Sequence, residues 1–197
     1  MMRDHGNLQK HLNANKAQQF LIDRFHRQIV ALVRQTAVTH VLDSGCGEGF
    51  VLDYFRQSGL KVATVGADLR MEALHWAKAN LLPDLKGTVA DIHRLPFPDN
   101  SFPLVMSLEV LEHIPDSSLG LRELLRVSSQ YVLLSVPHEP FFRGANFLRG
   151  KHLSRWGNDP EHLHNYNGRA FRQLVSSQAT VIAHRFTFPW QIILAEN

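Results

Sequence analysis

Asp43-Ser-Gly-Cys-Gly-Glu-Gly49 is the stretch of this 197-residue chain where residue type and spacing most clearly prepare a ligand site. Gly45 and Gly47 let a backbone turn sharply and approach a ligand with no side chain in the way. A dinucleotide fingerprint needs its third glycine at position 50, which is Phe50; here the glycines fall at 45, 47 and 49, a spacing that disfavours a nicotinamide dinucleotide. Asp68 follows about twenty residues later, where a carboxylate accepts both hydroxyls of an adenine-linked ribose. An aspartate in that position is equally a former of solvated turns. The 12 histidines supply the side chain most easily charged or metallated near neutral pH. Cys46 is the one cysteine, which excludes an internal disulfide and redox chemistry by a cysteine pair.

The elements that must hold these residues alternate along the chain. Leu21, Phe25, Ile29 and Leu32 recur at three- and four-residue spacing, so 14–35 is predicted as an amphipathic helix. A strand over 39–43 runs into the glycine turn, and a helix over 50–58 leaves it before Gly59. Strands are expected at 61–67, 86–90, 104–108 and 131–136, and helices at 71–81 and 117–128. After a helix over 169–177, strands 180–186 and 191–195 join through a turn at Pro189 as an antiparallel hairpin. Helical crossovers imply parallel strands. The expected fold is therefore α/β: a doubly wound, mostly parallel seven-stranded sheet with a C-terminal antiparallel hairpin and its ligand at the strand carboxyl ends. The 44% hydrophobic and 20% charged composition is that of a globular protein, and no repeat or linker divides it. A single domain over 14–197 is expected behind a flexible segment at 1–13. No apolar run reaches the ~18 residues of a membrane span and no secretory leader is legible, so a cytoplasmic address without membrane contact is expected.

The loop resembles the first motif of class I S-adenosylmethionine-dependent methyltransferases, of the type 11 kind, and 95–113 (Leu-Pro-Phe-Pro-Asp-Asn-Ser-Phe-Pro-Leu-Val-Met-Ser-Leu-Glu-Val-Leu-Glu-His) is similar to the same family. Pro103 stands where that family commonly has aspartate. The likeness covers 20–137, and the terminal hairpin by topology. It implies a Rossmann-like methyltransferase fold and an S-adenosylmethionine site at Asp43, Gly45, Cys46, Gly47, Asp68, Leu69, Asp91, Ile92, Leu108 and Glu109. In that site Asp91 meets the adenine amino group and the next backbone amide meets the ring. Asp91 reads alternatively as the cap of a turn.

The cofactor's sulfonium makes its methyl electrophilic, so positioning does most of the catalysis and a hydroxyl acceptor needs a base or a metal. Glu109-Val-Leu-Glu112-His113 is the best local source of such groups. His113 is the first choice of general base, against a reading in which Glu112 and His113 start a helix. Glu-x-x-Glu-His with a later His-x8-Phe, here His162 to Phe171, also resembles two metal-dependent branches of the family. These are ubiquinone-pathway O-methyltransferases and small-RNA 3′-terminal 2′-O-methyltransferases. That likeness implies a divalent ion held by Glu109, Glu112, His113 and His162, with His164 a nearby competitor.

Residues 138–167 are expected to cover the acceptor pocket. Phe141, Phe142, Arg143, Phe147, Arg149, Lys151, Arg155 and Trp156 there suit packing and closure, and also suit base stacking with phosphate pairing. A net charge of +3 and the lack of an appended RNA-binding domain argue against nucleic acid. The leading reading is methyl transfer to oxygen or nitrogen of a small molecule. RNA ribose methylation and a noncatalytic cofactor-binding module are the alternatives, and no motif speaks to the oligomeric state.

Overall fold

The computed structural model describes residues 8, 15–148 and 162–197. Helix α1 (Lys16–Thr36) begins where the Asn15 side chain accepts the amides of Ala17 and Gln18, and it ends at Ala37 in the left-handed region. Then come β1 (His40–Ser44), α2 (Phe50–Gln57), β2 (Ala63–Asp68), α3 (Met71–Asn80), β3 (Lys86–Val89) and β4 (Phe102–Leu108). The chain continues through α4 (Ser117–Val127), β5 (Ser128–Pro137), α5 (Phe141–Leu148), α6 (Gly168–Ser176), β6 (Thr180–Thr187) and β7 (Trp190–Glu196). One seven-stranded sheet results, in the order β3-β2-β1-β4-β5-β7-β6. Strands β1 to β5 pair in parallel, and β7 lies antiparallel to both β5 and β6. This is the expected seven-stranded α/β sheet with its terminal hairpin.

Alternation along each strand feeds two cores. Val41, Leu104, Met106 and Leu133 face Phe25, Ile29, Leu52 and Phe55 of α1 and α2. Leu42, Val105, Val132 and Leu134 face Leu121, Leu124, Phe171 and Val175 of α4 and α6. Both sheet faces are thus covered, which is why the central strands read as continuous apolar runs. The strand order reverses between β1 and β4, so their carboxyl ends diverge into a crevice, the usual ligand position in such sheets. The glycine loop leaves β1 there and Glu109 follows β4.

Three segments differ from expectation, the first being β5, which starts at Ser128 directly from the end of α4 and not at 131. Strand β4 starts at Phe102 and passes through Pro103, where the register against β5 shifts between Phe102 and Leu104 and a missing N–H is tolerated. Helix α5 was not legible, because its eight residues Phe-Phe-Arg-Gly-Ala-Asn-Phe-Leu carry a glycine and too short a period to stand out. Most of the segment expected to be flexible, 1–13, and 149–161 of the expected pocket cover lie outside the described residues.

Candidate functional site

The loop is built around close backbone approach. Gly45 N and Cys46 N both donate to Ala67 O, at 2.7 and 3.0 Å, tying the turn after β1 to the end of β2. Gly45 sits at φ +88°, and a Cβ there would run into Val110 Cγ2, so both conformation and space require glycine. Gly49 caps α2 at φ +77°. With no side chains at these positions, the backbone of the turn leaves room for a ligand to approach closely.

Carboxylates gather around this loop. Asp43 is 2% exposed at the end of β1, and burial, followed by the nearby Asp68 charge, pushes its carboxyl up to about 7. Asp68 Oδ2 accepts Gly47 N at 2.7 Å and its Oδ1 accepts Arg70 N at 2.8 Å, so the carboxylate is fixed by two backbone amides. Each oxygen keeps acceptor capacity for a ligand hydroxyl. Glu48, in the loop itself, is 1% exposed. The Cys46 thiol is buried and its pKa is raised by burial and then by Asp43 and Asp68, which leaves it packing against the sheet rather than acting as a nucleophile. Leu69 is 70% exposed, whereas Ile92 and Leu108 are buried. Asp91 follows β3 with its Oδ1 accepting His93 N at 2.9 Å and facing His93 Nδ1 at 2.8 Å. That backbone hydrogen bond holds its carboxyl below the ordinary range. Asp91 therefore forms a turn and still presents a second oxygen.

At the carboxyl end of β4, Glu109 adopts φ +59°, a sparsely populated region for a residue with a Cβ. Ser135 of β5 holds it there: Glu109 N donates to Ser135 O and Oγ at 3.1 Å, and Ser135 Oγ donates to Glu109 Oε1 at 2.9 Å. Glu112 and His113 lie in a turn before α4, which starts at Ser117 with Asp116 as its cap, so they do not open that helix. The Glu112 carbonyl accepts Leu163 N at 2.8 Å and His164 N at 3.1 Å, which brings His162 over the site. The rings of His113 and His162 meet edge to face at 4.9 Å, and Phe142 of α5 packs on His162 at 5.3 Å.

Glu112, His113 and His162 each offer a ligand atom, all within 4.8 Å of one another. Two ligands about 2.1 Å from a shared ion are at most about 4.2 Å apart, so small side-chain rotations would complete such a site. Glu109 is not in this group, and His164 turns away, with its Nε2 at 3.0 Å from Ile114 O. The fold thus brings together Glu112, His113 and His162 and holds Glu109 apart. Glu48, Arg70 and Ser135 also shape the site and were not singled out from the sequence. Only Arg70 leaves a local signal: it stands where a helix usually has a capping side chain.

Residues 42–133 match the family model described as a methyltransferase domain. The malonyl-[acyl-carrier protein] O-methyltransferase of Erwinia billingiae is 40% identical over 89 residues, covering 45% of this chain and 34% of that protein. The ubiquinone/menaquinone biosynthesis C-methyltransferase of Rickettsia felis is 34% identical over 114 residues, covering 53% and 44%. The chain thus spans less than half the length of these curated relatives. Among solved structures, magnesium protoporphyrin IX methyltransferase from Synechocystis PCC 6803, with bound S-adenosylhomocysteine, superposes with a TM-score of 0.73 at 16% identity, over 96% of this chain and 92% of that one. Among the described residues, no helix is long and apolar enough to cross a membrane.

Proposed function

We propose that this chain, a class I S-adenosylmethionine-dependent methyltransferase in its fold and in its methyltransferase domain, transfers the methyl group of S-adenosylmethionine to an oxygen or nitrogen of a small molecule. The observation that carries this reading is the acidic cradle. A glycine turn with no room for a Cβ is bordered by the buried carboxylates Asp43, Glu48 and Asp68, which suits a ligand bearing both a ribose and positive charge. When bound, S-adenosylmethionine supplies a methyl group already activated by its sulfonium, so the protein's task is alignment and proton removal.

The residues divide that task by position. The glycine turn at 45–47 and the Asp43 side receive the methionine end, Asp68 and Leu69 the ribose, and Asp91 and Ile92 the adenine. Leu108 and Glu109 border the reacting end. His113 takes the acceptor's proton, and His162, seated against it, completes the wall that the 162–166 segment lays over the pocket. The leading acceptor is a small molecule, since the net charge of +3 supplies little attraction for an extended nucleic-acid chain.

A second reading of the same three side chains is supported by their proximity. Glu112, His113 and His162 would hold a divalent ion that lowers the pKa of an acceptor hydroxyl. One carboxylate with two imidazoles suits manganese, iron or zinc better than magnesium.

Calorimetry with S-adenosylhomocysteine and NAD in parallel tests the cofactor, and binding of NAD alone would reverse the assignment. Methyl transfer from labelled cofactor to a panel of small amines and alcohols, and to short single-stranded RNA, tests the acceptor; label entering a terminal ribose would overturn the small-molecule reading. His113→Ala should lower kcat by about a hundredfold. Normal turnover in both His113→Ala and His162→Ala would remove their catalytic roles. Activity unchanged in chelator leaves His113 as the base, and activity lost in chelator and restored by manganese favours the ion.

A further inference from the structure

Arg70 occupies the capping position of α3 and breaks two local preferences at once. Its backbone is extended, at φ −98° and ψ 109°, and its side chain makes no cap hydrogen bond. Serine, threonine, aspartate or asparagine is preferred there, and a cation opposes the positive end of the helix dipole. Such conflicts between local preference and the residue present concentrate at functional sites.

The guanidinium points across the cleft instead. Its Nη2 lies 3.4 Å from Glu48 Oε1 and its Nε 3.7 Å from Asp68 Oδ1. The Glu48 side chain is 1% exposed and that of Asp68 10%, whereas Arg70 keeps 34% of its own side chain in solvent. Glu48 belongs to the glycine loop and Asp68 to the end of β2, so one planar fork joins two buried charges of like sign on separate elements. Asp68 Oδ2 accepts Gly47 N at 2.7 Å in the same arrangement, a contact that repulsion between the two carboxylates would open. Arginine suits this bridging because its donors are fixed in a plane, which an ammonium group does not reproduce.

We propose that Arg70 is a positioning residue for the cofactor: it braces the glycine loop against Asp68, so that the acceptor capacity left on that carboxylate stays directed at the ribose hydroxyls. This rests on the reading that the cleft holds S-adenosylmethionine. Arg70 acts through Asp68 and Glu48, and lies on the cofactor side of the site. Its removal should weaken the methylated and demethylated cofactors alike, because they share the ribose, and should leave the chemical step unchanged.

Arg70→Ser separates this role from a structural one, since serine supplies the missing helix cap while removing the guanidinium. The expected result is a Tm close to that of the wild type, the new cap offsetting the lost ion pairs, with the Kd for S-adenosylhomocysteine raised about tenfold, equivalent to about 1.4 kcal/mol. The KM for S-adenosylmethionine should rise by a similar factor, with kcat at saturation unchanged. Arg70→Lys should bind with intermediate affinity, because it keeps the charge and loses the fork. Wild-type affinity in Arg70→Ser, weakening that appears only with a matching fall in Tm, or Arg70→Lys binding no better than Arg70→Ser would each overturn the proposal. Failure of the wild type itself to bind S-adenosylhomocysteine would instead overturn the reading of the cleft.

Discussion

Asp43→Asn turns the buried acid at the end of β1 into a measurable pH dependence. Asp43 is 2% exposed, and its carboxyl is raised from 3.8 to about 7, chiefly by burial and then by Asp68. An acid with a raised folded-state pKa holds its proton more tightly in the folded chain than in the unfolded one. Its contribution to stability is therefore fully present below about pH 4 and is lost as pH rises through 7. The shift of about 3 units corresponds to a total of about 4 kcal/mol, of which roughly 3 kcal/mol falls between about pH 5 and pH 8.5. Asparagine has nearly the same shape and no charge, so it removes that slope. Any fixed gain or loss from the amide is common to both pH values and cancels. Urea unfolding of ligand-free wild type and Asp43→Asn at the two pH values is the assay. The variant should gain about 3 kcal/mol on the wild type between the acidic and the alkaline measurement. A difference that stays constant within about 0.5 kcal/mol would refute the reasoning, because the carboxylate would then be charged in the folded chain at no cost.

Two further perturbations probe the scaffold. Gly45→Ala must place a Cβ against Val110 at φ +88°, so it should cost at least about 2 kcal/mol in denaturant unfolding and weaken S-adenosylhomocysteine binding; wild-type stability and affinity would show that the loop is not tightly built. Arg126 of α4 donates to the Glu123 and Asp99 carboxylates and to the carbonyls of Leu95 and Phe97, fastening the loop that enters β4. Arg126→Met keeps the apolar stem and removes the fork. It should lower stability by about 2 kcal/mol after allowance for solvent, and a loss below about 0.5 kcal/mol would mean that water replaces those bonds.

Much of the architecture was legible because it rests on local pattern. Leu21 to Leu32 announced α1, continuous apolar runs marked strands buried on both faces, and Pro189 marked the hairpin, since these signals depend on periods of 3.6 and 2 and on turn chemistry. The glycine spacing at 45, 47 and 49 and the acids at 68 and 91 likewise marked the crevice at the strand carboxyl ends, because both sit where strands end and backbone must turn. Helix α5 escaped because eight residues with a glycine give too little periodicity.

Tertiary structure alone decided which side chains meet. Glu109 and Glu112 are three residues apart, yet Ser135 draws the first toward β5 while the second joins His113 and His162. In sequence, only its spacing to Phe171 sets His162 apart from His164. The pairing of 163 and 164 with the Glu112 carbonyl sends one ring to the site and the other to Ile114 O. Arg70 was not singled out until Glu48 and Asp68 appeared on either side of it. Periodicity is set by a residue's neighbours in sequence, and a linear pattern can carry it. Direction, burial and charge pairing are set by residues dozens of positions away, so they exist only once the sheet has closed those distances.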